Sequence, residues 1–149
     1  MAQFVLDACV AISWCFPGDP TEDTPYSRAI LKRLVTDDAV VPEIWAFEIA
    51  NSIFVSFSKR KRISEQQIHY YLRLLKALPI RVHSQSMVEN IDLKSLARSR
   101  GLAAYDAAYL QLASRMKLPL ATSDAPLRAA AIAEGVDVIP SSDFSVDAP

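Results

Sequence analysis

The chain has 149 residues, 51% hydrophobic and 22% charged, with 16 basic and 17 acidic side chains and a net charge of −1. That length gives one domain with a sizeable core, and that balance excludes a disordered or fibrous chain. A near-neutral total is not the signature of an ordinary nucleic-acid binder either.

Two cysteines, Cys9 and Cys15, lack the spacing of a zinc or redox pair and are read as reduced, small apolar residues. His69 and His83 have no partner at ligand spacing and are read as structural. No secretory signal is visible, because Asp7 interrupts the early apolar stretch. The uncharged run over 8–18 falls short of the roughly 20 residues a membrane span needs. A cytoplasmic protein without membrane contact is therefore expected.

In chain order, Phe4-Val5-Leu6 reads as a short buried strand. A helix follows over 25–36, with apolar Ile30, Leu31 and Leu34. Ala39-Val40-Val41 is the second strand, and Pro42 suits the first turn of a long helix to about residue 58. Ser64 and Gln67 form a capping box that opens a helix to about 78. Ile80-Arg81-Val82 is a third strand. A helix over 86–100 stops at Gly101, and another covers 105–116. Leu120-Ala121-Thr122 is the fourth strand, Pro126 opens a last helix that Gly135 ends, and 136–139 is the fifth strand. Continuous apolar strands alternating with helices predict a three-layer α/β/α fold around a parallel sheet of about five strands. The domain is expected over 1–140, with 141–149 as a polar, loosely held tail.

Ligands of open parallel sheets bind beyond the carboxyl ends of the strands. Asp7 follows the first strand and Asp124 the fourth, so they occupy equivalent places at one sheet edge. Glu48 has Ile44, Trp45, Asn51 and Ser52 as helical neighbours, and Asp106 has Leu102, Ala103, Tyr109 and Leu110. An ionised acid on so apolar a face is costly unless compensated, and a hard divalent cation compensates several at once. Each position also has an ordinary reading. Asp7 and Asp124 suit helix N-caps, Asp106 could cap a helix starting at Ala107, and Glu48 could reach solvent by flexing. If four acids serve a cation, the 13 remaining face 16 basic residues, a balance suited to a polyanion.

At these residues the chain resembles a PIN domain, and within that family a VapC-type toxin of a toxin–antitoxin pair. Four segments carry the resemblance in order: Val5-Leu6-Asp7-Ala8-Cys9-Val10-Ala11; Pro42-Glu43 through Phe47-Glu48-Ile49-Ala50-Asn51; Gly101-Leu102-Ala103-Ala104-Tyr105-Asp106-Ala107-Ala108-Tyr109-Leu110; and Leu120-Ala121-Thr122-Ser123-Asp124. It covers residues 4–140. It implies strand order 3-2-1-4-5 and an acidic cluster holding one or two Mg²⁺ or Mn²⁺ ions. Asp7 and Asp106 match its core metal ligands, Glu48 and Asp124 its remaining acids, and Asn51 and Thr122, with Ser123 beside it, the supporting polar positions. Many members carry Ser or Thr where Cys9 stands here. The implied activity is hydrolysis of RNA phosphodiester bonds by metal-activated water, leaving a 5′-phosphate and a 3′-hydroxyl. The implied partners are a second copy of the chain and a small VapB-like antitoxin.

Substrate contacts are expected from Lys59-Arg60-Lys61-Arg62, which equally reads as a cationic helix end. Arg98, Arg100, Arg115 and Lys117 are further candidates, and Trp14, Trp45, Tyr105 and Tyr109 are candidates for base stacking or for the core. Phe54, Val55, Phe57, Tyr70, Tyr71 and Leu74 are expected to supply a protein interface. A haloacid-dehalogenase-like phosphatase would need a second Asp where Cys9 stands. A receiver domain would need an acidic pair before the first strand's Asp and a late Lys. A non-enzymatic alternative is a catalytically inactive PIN-fold module that binds RNA or protein.

Overall fold

A computed structural model describes residues 2–140. The expected tail over 141–149 lies outside the described residues. Four strands form one parallel sheet in the order β3-β2-β1-β4: β1 (Gln3–Leu6), β2 (Asp38–Pro42), β3 (Ile80–His83) and β4 (Leu120–Ala121). Phe4 pairs with Ala39, Val5 with Val40 and Leu120, and Leu6 with Ala121. Phe4, Val5, Leu6, Ala39 and Val41 are almost fully buried, as strands covered on both faces must be. β3 is the edge strand, and its Arg81, Val82 and His83 are exposed.

The expected fifth strand is reduced to one parallel bridge between Val138 and Leu120. Two backbone bonds hold it, from Leu120 N–H to Asp137 (2.8 Å) and from Ile139 N–H to Leu120 (2.9 Å). β4 is only two residues long, so it offers too little ladder for a longer partner.

Seven α-helices flank the sheet: α1 (Ala8–Ser13), α2 (Pro25–Arg33), α3 (Ile44–Phe54), α4 (Glu65–Ala77), α5 (Met87–Arg100), α6 (Ala104–Met116) and α7 (Ala125–Ala133). The capping box of α4 forms as expected, with Gln67 N–H donating to Ser64 Oγ and Ser64 N–H to Gln67 Oε1. Gly101 ends α5 at φ +65°, a left-handed conformation that glycine adopts without a Cβ clash. Two boundaries differ from expectation. Pro42 is the last residue of β2, paired with His83, and does not open α3. α3 runs straight into a π-helical turn, Val55–Lys59, instead of ending near residue 58 as an α-helix. The short α1 was expected only as the helix that Asp7 would cap. It starts because Asp7, leaving β1, caps it.

Candidate acidic site

Asp7 stands where β1 gives way to α1, and its N–H donates to the Ala121 carbonyl at 3.0 Å, which pins it to the end of β4. Three donors converge on its buried carboxylate: Cys9 N–H on Oδ1 (3.3 Å), and the Cys9 thiol (3.1 Å) and Thr122 hydroxyl (2.6 Å) on Oδ2. Thr122, fully buried, also accepts the Asp124 N–H at 3.0 Å. The sheet edge thus places Asp7, Cys9, Thr122 and Asp124 in one hydrogen-bonded group. The hydroxyl missing at Cys9 is supplied from the neighbouring strand by Thr122, and the thiol adds a weaker donor.

Asp124 does cap α7, accepting from Leu127 N–H at 2.9 Å. Its capping role and its place beside Asp7 coexist, because the carboxylate needs only Oδ2 for the cap. Glu48 lies on α3 and accepts from the Tyr109 hydroxyl at 2.9 Å. Asp106 is half-buried in the first turn of α6. It caps nothing: the helix starts at Ala104, so the expected alternative of an N-cap for a helix beginning at Ala107 does not hold. Its carboxylate does sit where the helix dipole favours negative charge.

Electrostatics tie the four together. Burial raises the Asp7 pKa above the usual carboxylate range against the pull of its three donors, and the charge of Asp124 raises it further. Burial lifts Glu48 to about 7 against the lowering effect of the Tyr109 bond, and the charges of Asp7 and Asp106 also raise it. Asp106 is raised by burial and by the charges of Asp7 and Asp124. Among the described residues no Lys or Arg forms an ion pair with any of the four. Every donor bound to them is neutral.

Such a donor set fits a hard divalent cation, which takes carboxylate oxygens and neutralises several like charges at once. The side chains as they stand are not a finished cage. Among the described residues no group of three or more His, Cys, Asp or Glu is close enough together to hold a metal ion. The two observations are compatible for Mg²⁺, which usually keeps several waters and is bound through one or two carboxylates. Burial and the Asp7 charge push the Cys9 thiol up to about 12, so it serves Asp7 as a protonated donor. Both cysteines are free, as expected.

The supporting and substrate positions divide. Thr122 is central. Ser123 is exposed, with its backbone bonded toward the Cys9 sulfur, and Asn51 is exposed on α3, one turn beyond Glu48. Lys59, Arg60 and Lys61 are exposed, with Lys61 at φ +50°. Arg62 is already engaged and is a poor substrate residue. Its guanidinium binds Asp19 (3.1 Å) and Glu22 (3.8 Å) and lies 4.3 Å over the Phe16 ring. Arg100 and Arg115 likewise pair with Glu134 and Glu89. Trp14, Trp45 and Tyr109 are core residues, whereas Tyr105 is 55% exposed. Of the expected interface residues, Tyr71 is buried, with its hydroxyl on the Ala11 carbonyl, while Phe54, Phe57 and Tyr70 are exposed.

Two groups of this site carried no sequence signal for their role. Tyr109 was legible only as an aromatic at i+3 from Asp106, not as the donor to Glu48. Arg128 donates to the Thr122 carbonyl at 2.9 Å and lies 5.3 Å over the Tyr26 ring, bracing the β4 end from α7.

A family model described as PIN domain matches residues 4–145. A search of curated proteins finds no significant match. Among solved structures, PAE2754 from Pyrobaculum aerophilum aligns with a TM-score of 0.64 at 17% identity, covering 96% of this chain and 94% of that one. FitAcB from Neisseria gonorrhoeae aligns with a TM-score of 0.61 at 19% identity, covering 92% and 96%. At these identities the likeness is one of fold.

Proposed function

Because this chain belongs to the PIN-domain family, whose members are generally nucleases, we propose that it is a Mg²⁺-dependent endoribonuclease and the toxin of a VapBC-type pair. The observation that carries the reading is that Asp7, Glu48 and Asp106 are raised by burial and by charges within the acidic set, Asp124 included, while among the described residues no Lys or Arg forms an ion pair with any of the four. Mn²⁺ is the alternative ion.

In this reading Asp7 and Asp106 are the core ligands, with Glu48 and Asp124 completing the acidic set. The cation, when bound, supplies a water-derived nucleophile at neutral pH and neutralises charge on the phosphate and the leaving oxygen. The chain's own residues prepare that work. Thr122 and Cys9 hold the Asp7 carboxylate in one orientation. Tyr109 holds Glu48 Oε1 and leaves Oε2 free to take a proton or bind metal. Lys59, Arg60 and Lys61 offer exposed charge to the RNA backbone. Hydrolysis leaves a 5′-phosphate and a 3′-hydroxyl.

The toxin assignment rests on the four ordered sequence segments over residues 4–140, which resemble the VapC type. It brings a second copy of the chain and a small VapB-like antitoxin as partners, in the cytoplasm. Among the described residues no helix is long and apolar enough to cross a membrane.

The test is purified protein on structured RNA, with and without Mg²⁺ or Mn²⁺, beside Asp7→Asn and Asp106→Asn. We expect metal-dependent cleavage by the wild type and a loss of at least about a hundredfold in either variant. Equal cleavage by all three would remove the metal site. No cleavage of any RNA by folded wild type would favour a catalytically inactive interaction module. Expression of the chain alone should arrest growth, and co-expression of its cognate small partner should relieve it.

A further inference from the structure

Beside the acids lies a groove of about 330 Å³ between α3, α5 and α6, at the carboxyl ends of β2 and β3. Its volume is within the range of ~300–1,000 Å³ that suits a small planar ligand. It borders the acidic site on two helices: Phe47 precedes Glu48, and Tyr105 precedes Asp106. Both aromatics line the groove and are largely exposed, Phe47 at 71% and Tyr105 at 55%. Large apolar rings left in water at the mouth of a groove offer faces for stacking.

The lining is mostly apolar, with one shielded polar group set into it. Gln85 lines the groove, and its side-chain Nε2 is shielded from solvent without any hydrogen-bond partner. A buried donor in that state is penalised until an acceptor arrives. Asn90 on α5 and Glu43, at the N-cap of α3 across the groove, also line it. The occupant that suits these walls is flat and presents a carbonyl acceptor next to an N–H donor. An apolar side chain from a protein partner would fill the space but leave Gln85 unsatisfied.

We propose that this groove is a nucleobase subsite that takes a keto base, uracil or guanine, from the RNA strand whose phosphate lies at the acids. The ring stacks on Tyr105 and Phe47, a base carbonyl accepts from Gln85 Nε2, and the ring N–H faces Glu43. The subsite rests on the ribonuclease reading for the identity of the strand, and it adds a sequence preference that the acids alone cannot give. Phosphate contacts position a nucleic acid, and base contacts specify it.

The experiment measures anisotropy of short labelled oligouridylate, oligoadenylate and oligocytidylate with the full chain in EDTA, where nothing is cleaved. We expect oligouridylate to bind tightest. Tyr105→Ala should cost it about tenfold, the scale of one lost base stack, while Tyr105→Phe should retain it. Gln85→Glu, which replaces the donor by an acceptor of the same shape, should abolish the preference for uridine, while its added negative charge weakens all three oligonucleotides. Lys59→Ala should weaken all three alike. Equal affinity of the wild type for the three, or a preference unchanged in Tyr105→Ala and Gln85→Glu, overturns the subsite. If these variants instead shift the chain's self-association with RNA preference unchanged, the groove belongs to a second copy and the proposal falls. The readout needs neither metal nor cleavage. A uridine preference lost in both variants therefore supports the subsite even if the nuclease assay fails, and cleavage with no such preference overturns the subsite alone.

Discussion

At the scale of single residues, the site is decided by how one carboxylate is held. Asp7 keeps three neutral donors, of which the Thr122 hydroxyl is the shortest contact. Thr122→Val keeps the shape but removes the hydroxyl, leaving both Asp7 and the Asp124 N–H without it. We expect a loss of about 1–3 kcal/mol in urea unfolding, together with reduced cleavage. Cys9→Ser keeps a donor at the same place and should leave cleavage within a few fold. A larger fall for Cys9→Ser than for Thr122→Val would invert this ranking. Glu48 gives a pH prediction with a definite sign. Its folded pKa is raised from 4.5 to about 7, so between those values the folded state holds more protons than the unfolded one. Stability in EDTA therefore falls as pH rises from about 4.5 through 7, and Asp7 and Asp106, also raised, act in the same direction. Glu48→Gln should flatten that slope, which thermal melts across pH will show.

At the scale of elements, the chain's punctuation was legible and its transitions were not. Ser64 with Gln67, Gly101, and Pro126 in the first turn of α7 each act through their own backbone or a partner within one turn, so their effect can be read locally. Gly101→Ala forces a Cβ into the left-handed region at φ +65°, although nothing lies within 4 Å of that Cβ. The cost is therefore backbone strain alone, about 1 kcal/mol by denaturant unfolding. Ser64→Ala should cost a similar amount through loss of the cap. Pro42 shows the limit of the same method. Its fixed φ and missing N–H suit a helix start, but they also suit a strand end, and pairing with β3 chose the latter. The fifth strand failed for a related reason: Val136 to Ile139 has strand composition, but its ladder depends on the length of β4.

At the scale of the whole molecule, the acids and the cation are a linkage problem. Asp7, Glu48 and Asp106 all carry raised pKa values, so their ionised forms are disfavoured by folding, and under the proposed reading a divalent cation that binds only the folded chain should raise its melting temperature. At a hundred times Kd the gain is about 2.7 kcal/mol. Asp7→Asn removes both a ligand and part of the repulsion. It should melt higher than wild type in EDTA and respond less to Mg²⁺. A wild type indifferent to Mg²⁺, Mn²⁺ and Ca²⁺ in such melts would argue against any cation at this site.

The sequence by itself determined the class of fold and the order of its strands and helices along the chain, because these follow from apolar periodicity and local caps, and its short ordered segments nominated the four acids. Asp7 and Asp124 each follow a strand, and the strand order implied by the resemblance makes those strands neighbours. What only the tertiary structure decided is the environment of each acid. Thr122 is 115 residues from Asp7, and Tyr109 is 61 from Glu48, so no local pattern could announce those bonds. Nor could it assign Arg62 to Asp19 and Phe16 rather than to a substrate. A carboxylate's pKa, and hence its chemistry, depends on burial and on charges brought close by folding. That is why the acids could be named from the chain, but the repulsion that suits them to a cation could be found only in the fold.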